Sequence, residues 1–155
     1  MQTKLVNIIP PIKIGFDIPN IKLIVNTIAH VLKIENAVHV MPMKLNFDSN
    51  AYAVKQGCEY IIFVNEKILG SDKINNFNIK MLIHEMWHIR QMMDGRLKFN
   101  YDNTKAIYDG VEYTNLMAHE DRPFECEARG AEKIYFKQVK KLIYKLKQTK
   151  LCKQN

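Results

Sequence analysis

The sequence predicts a single α+β domain spanning residues 1–155. Three observations predict it. Apolar residues recur at helical spacing just after residue 19, short extended-type runs separated by turn residues fill 37–65, and two longer helical patterns follow near 76–94 and 123–150. The length suits one hydrophobic core, and 47% apolar with 25% charged residues is the composition of a folded globular chain. No internal repeat, low-complexity tract or Gly/Ser linker divides it.

The first helix is expected from Pro19 to about Asn36 with Asp17 as its cap, because Ile21, Ile24, Val25, Ile28, Val31 and Leu32 share one face. In residues 37–47, Met43, Leu45 and Phe47 read as one face of a strand, and Pro42 marks an edge or a bulge. "AYAVKQ" and "CEYIIFVN", joined around Gly57, read as a hairpin whose second strand is apolar enough on both faces to lie inside a three-stranded sheet. "GSDKINN" is a loop. The next helix places Ile79, Leu82, Ile83, Met86 and Met93 toward the core and closes at Asp94-Gly95. "IYDGVEY" carries an Asp-Gly hairpin turn that aligns Tyr108 with Tyr113. The last helix starts at Asp121 or Arg122 before Pro123 and docks through Ile134, Val139, Leu142, Ile143 and Leu146.

Several function classes are disfavoured. The N-terminal "MQTKLVNIIPPIKIGFD" is interrupted by Asn7, Pro10 and Pro11, so it fails as a signal segment, and no stretch approaches a membrane span. Cys58, Cys126 and Cys152 are odd in number and widely spaced, which argues against a disulfide framework and for a reducing cytoplasm. The formal charge of +7 is concentrated at the end, where eight lysines lie between Lys133 and Lys153 and no acid follows Glu132. Such a helix suits a solvated docking element, and also nucleic acid or another anionic partner.

The chemistry-bearing stretch is "HEMWHIRQ", residues 84–91. His84 and His88 stand one helical turn apart, so both imidazoles can reach one Zn²⁺ at about 2.1 Å. Glu85 is rotated away from the ion, where it can contact a bound water instead. A chance match to this pattern has a probability on the order of one per cent in a chain of this composition, so a structural histidine pair is the weaker explanation. The third ligand has to come from downstream, because no histidine lies between His88 and His119. Glu125 and Glu127 both fall in the opening turns of the last helix, pointing nearly opposite ways at about 100° per residue, so only one of them can ligate. His119 is a helix-start residue or an alternative ligand. Trp87 reads as packing, and His30 and His39 as structural or surface residues.

"HEMWHIRQ" followed by "RPFECEARG" resembles the compact gluzincin-type zinc metallopeptidases of bacterial and phage genomes, whose pattern is HExxHxxQ and then P-(aromatic)-E-x-E-A. The resemblance covers about residues 17–140. It implies a zincin-like fold, namely an N-terminal helix, a small three-stranded sheet, an HExxH helix and a C-terminal helix bearing the ligand glutamate. It implies His84, His88 and Glu125 as ligands of one Zn²⁺, with Glu127 as the competitor, and Glu85 as general base and acid in peptide-bond hydrolysis. An oxyanion donor is implied between the two motifs, where Tyr101, Tyr108, Tyr113 and His119 are available. It further implies an extended peptide or protein substrate on a free sheet edge, for which "AYAVKQ" is the candidate. The chain departs from thermolysin-like relatives in placing Arg129 where they carry an aspartate that hydrogen-bonds the first histidine. Oligomeric state and cleavage specificity are not written in these motifs.

Overall fold

The computed structural model describes residues 17–44, 49–100 and 102–152. Over these the chain is α+β, with four helices and two small sheets. Helix α1 (Pro19–Val31) begins with proline at a position whose missing N–H costs nothing. Its cap differs from the sequence expectation. Asp17 does not cap it; the N-cap residue is Ile18, and the free amides are satisfied by Asp72, whose two oxygens accept from Asn20 N at 3.1 Å and Ile21 N at 2.8 Å. The helix also stops at Val31, short of Asn36. Lys33 turns left-handed, with φ of 55°, and Ile34 N donates back to Ala29 O at 2.8 Å. Ile21, Ile24, Val25 and Ile28 are fully buried, and Leu32 nearly so.

The first sheet has the order β1-β3-β2. Strand β1 (Val38–Met43) runs parallel to β3 (Glu59–Asn65), and β2 (Ala51–Gln56) pairs with β3 antiparallel through a turn at Gly57. Tyr60, Ile61, Ile62 and Val64 of the central strand are buried, as its apolar sequence predicts. Pro42 sits on edge strand β1, where a residue without an N–H is tolerated. Val38 and Val40 are the buried residues of β1, and Met43 is half-buried. The expected Leu45 and Phe47 lie outside the described residues.

A short helix, α2 (Glu66–Ser71), occupies the start of the segment expected to be loop. It ends at Asp72 in a left-handed conformation, which swings the carboxylate onto the start of α1. Helix α3 (Asn76–Met93) is capped by Asn75, whose side chain accepts from Asn78 N at 2.7 Å, and it ends before Gly95 at φ +73°. Ile79, Leu82, Ile83, Met86 and Ile89 are fully buried along it. Burial of such a side chain contributes about 1.5–3 kcal/mol relative to exposure.

A second antiparallel sheet follows, β4 (Leu97–Phe99), β5 (Lys105–Tyr108) and β6 (Val111–Thr114) in that order. Only its hairpin was legible in the sequence. Asp109 and Gly110 both take positive φ, 50° and 84°, as a two-residue hairpin turn requires. After a single turn of 3₁₀ helix at His119–Asp121, helix α4 (Pro123–Cys152) packs along α3 and α1. Ala128, Ala131, Val139 and Ile143 are its buried line. Ile134, expected on that line, is 71% exposed. Steps of three and four residues from Ala128 pass through Ala131, Tyr135 and Val139 and leave position 134 on the outer face. No helix among the described residues is long and apolar enough to cross a membrane. Cys58 and Cys126 are free thiols.

Candidate metal centre

Helix α3 delivers His84 and His88 one above the other, with ring centroids 4.7 Å apart and planes nearly perpendicular. Helix α4 delivers Glu125 from the opposite side, in its first turn. Its start is anchored by the buried Phe124, whose ring is flanked by Tyr108, Tyr113, Phe99 and His88 at centroid distances of 5.9–6.3 Å. A residue fixed this way leaves its neighbour little positional freedom.

Both imidazoles are oriented by partners on their far nitrogens. Oε1 of Glu132 lies 2.8 Å from Nδ1 of His84, and Oε1 of Gln91 lies 2.8 Å from Nδ1 of His88. The Gln91 amide has one consistent orientation, because its Nε2 donates to the carbonyl of Phe124 at 3.1 Å. Each histidine therefore donates from Nδ1, and the neutral ring turns the lone pair of Nε2 inward.

What those lone pairs face is the informative feature. Nε2 of His84 is 2.9 Å from Oε2 of Glu125, Nε2 of His88 is 3.3 Å from the same oxygen, and the two Nε2 atoms are 3.1 Å apart. Three acceptors this close, with no donor among them in the neutral tautomers, repel unless a cation lies between them. A tetrahedral ion with bonds of about 2.0–2.1 Å spaces its ligands by about 3.3–3.4 Å, near the observed separations. Two imidazoles and one carboxylate are also a zinc-type donor set, and His84, His88 and Glu125 form the group that can hold a metal among the described residues.

In the metal-free chain a proton serves as that cation. Burial pulls the His84 pKa down, but its bonds to Glu125 and Glu132 and the charges of Glu85 and Glu125 outweigh this and push it up to about 10. Burial pushes Glu125 up, but its bonds to His84 and His88 and the charges of His88 and His119 hold it well below the usual carboxylate range.

Glu85 stands apart from the triad on the wall of the same cleft, 8% exposed. Burial raises its pKa, opposed by the charges of His88 and His84 and by a backbone hydrogen bond from Ala53. The cleft measures about 800 Å³, is partly open to solvent and is lined by residues 49–54 at β2. Phe77, Lys80 and Met81 of α3 line the other side, with His119 and Arg122 at the start of α4.

The remaining expected site residues divide clearly. His119 borders the cleft, with Nε2 3.0 Å from Oε1 of Glu125. Tyr108 does not border it; its hydroxyl bonds to Glu127 and Arg96. Tyr113 packs on Phe124 instead of facing the cleft. Tyr101 lies outside the described residues. Glu127, the competing third ligand, points the other way, receiving bonds from Arg96 at 2.9 Å and Trp87 at 3.1 Å. Trp87 is packing, stacked 5.7 Å from Tyr135. Sequence reading missed Glu132 and the role of Gln91. Both were findable, since Gln91 follows His88 by three and Glu132 follows Glu125 by two turns, each on the ligand's own face. No family model matches the chain, no curated protein matches it, and no solved structure matches its fold.

Proposed function

We propose that the chain is a zinc-dependent peptidase with a minimal zincin-like, gluzincin-type architecture, in which His84, His88 and Glu125 hold one Zn²⁺ and Glu85 is the general base and acid. The observation that carries this reading is the mutual approach of three lone-pair-bearing atoms whose outer bonds already fix the histidine tautomers. When bound, the ion would supply a Lewis acid for the scissile carbonyl and an acidified water. Glu85 would accept the proton of that water and return it to the leaving amine. Its burial favours the role, because a carboxylate with raised pKa is closer to the working pH of a general base. Strand β2 is an edge strand of its sheet and borders the cleft, which favours an extended peptide or protein segment paired along it.

The test is metal analysis of untagged protein, followed by digestion of a peptide library with wild type and Glu85→Gln. One zinc per chain is expected, with cleavage that falls about 10²–10⁴-fold in the variant while the metal stays. Absence of bound metal, or wild-type cleavage by Glu85→Gln, would falsify the reading.

A second reading, a non-catalytic module for nucleic acid, is favoured by one observation. Lys137, Lys141 and Lys145 form an exposed row on α4, and none of them has an ion pair among the described residues. Membrane insertion is disfavoured, since the apolar line through Val139 and Ile143 is buried on the domain. Binding to a DNA duplex that survives Glu85→Gln, steepens as salt falls and disappears when the three lysines become glutamate would support this reading. Salt-insensitive binding, or none, would end it.

A further inference from the structure

The two oxygens of Glu125 have different partners. Oε2 faces His84 and His88, whereas Oε1 lies 3.0 Å from Nε2 of His119. A carboxylate only accepts, so an approach this close is favourable only with the hydrogen on Nε2 of His119. This contact joins the turn before α4 to the first turn of α4 itself.

We propose that His119 is a positioning residue that confines Glu125 to ligation through one oxygen. The inference rests on the metal centre proposed above. An unrestrained carboxylate rotates about its terminal bond and can present one or both oxygens to a cation. With Oε1 against Nε2 of His119, bringing both oxygens to the ion would break that contact, so Oε2 alone closes the set and coordination space remains on the cleft side. The imidazole suits this task better than a ligand's task, because it lies against Oε1 and is not among the groups whose ligand atoms converge, which are His84, His88 and Glu125.

The turn that carries His119 is itself clamped. The carbonyl of Glu120 accepts from the Arg129 guanidinium and from Sγ of Cys126 at 3.3 Å, both in the first two turns of α4. Arg129 thereby gains a role at the position where the resembling enzymes carry an aspartate. It restrains the backbone beside the residue that holds Glu125, while Glu132 takes over the first histidine.

Truncation of His119 opens no cavity, since its side chain is 64% exposed. The full-length chain and its His119→Ala and His119→Gln variants can be titrated with Co²⁺, reading visible d–d absorption, and with Zn²⁺ against a chromophoric chelator. In His119→Ala the cobalt absorption is expected to weaken toward that of a higher coordination number, and zinc affinity to fall about tenfold or more. His119→Gln keeps an N–H donor and is expected to restore both. A His119→Ala spectrum and affinity that coincide with wild type overturn the proposal, as does a glutamine variant that behaves like alanine. Wild-type protein that takes up neither ion removes the metal centre itself, a result distinct from both.

Discussion

Oε1 of Glu132 lies 2.8 Å from Nδ1 of His84, two helical turns beyond Glu125 on α4. One helix therefore supplies both Glu125, the proposed third ligand, and the group that orients His84. The bond fixes the ring and raises the donor strength of Nε2. Glu132→Ala is expected to weaken zinc binding about 10–100-fold, as removal of such partners does elsewhere. Glu132→Gln, which keeps an acceptor oxygen, should lose much less. Chelator competition on the folded variants reads both, and equal affinities for wild type and Glu132→Ala would contradict the role.

How much of this was legible in the sequence depended on whether the signal was local. The juxtaposition of His84 and His88 was readable because residues four apart share one helix face, and the central position of β3 because its residues are apolar on both faces. The cap of α1 was not, since Asp72 reaches Asn20 across the fold and Asp17 offered a plausible local substitute. Ile134 misled for a related reason. An isoleucine in a helix suggests an inward face, yet the buried alanines at 128 and 131 define the inner line of a helix that packs on α3 and α1. Strand β4 is three residues long with one buried side chain, too short for a periodic pattern to emerge.

Glu125 and Glu127 make opposite predictions, although they are two residues apart. Glu127 ties α4 to Tyr108 of the second sheet, to Arg96 just before that sheet, and to α3 through Trp87. The ion pair is partly exposed, so it is worth at most about 1 kcal/mol, and the indole bond adds about 0.5–1.5 kcal/mol. Glu127→Ala should cost about 1–2 kcal/mol in urea unfolding and leave zinc affinity unchanged. Glu125→Ala should abolish tight binding. If Glu127→Ala lost the metal and Glu125→Ala kept it, the third ligand would have been assigned to the wrong residue.

Asp72 accepts from two amides that open α1, and its own left-handed backbone is what aims it there. Asp72→Ala is expected to destabilise the fold by about 1–2 kcal/mol, the upper part of the range for capping residues. Asp17→Ala should change stability by less than about 0.5 kcal/mol. Thermal and urea melts of the two variants provide the comparison. Comparable losses would return the cap to Asp17.

The charge arrangement around His84 predicts opposite pH trends with and without metal. His84 is raised from its ordinary 6.5 to about 10, so in metal-free protein its stabilising contribution is complete below pH 6.5 and is lost as pH climbs toward 10. Glu125 is depressed, so its contribution is present above its ordinary 4.5 and disappears as pH falls through the lowered value. With respect to this pair, the metal-free chain is most stable between about pH 4.5 and 6.5. Zinc reverses the upper limb. Ligation requires Nε2 of His84 without its proton, so binding expels that proton and tightens as pH rises. Urea melts between pH 6.5 and 8 should therefore show stability falling with pH in chelator and the zinc-induced increment growing. Calorimetry in buffers of different ionisation enthalpy should register about one proton released per zinc bound at neutral pH. An increment that shrinks with pH alongside the metal-free curve, with no proton released, would mean that the ion does not bind through His84.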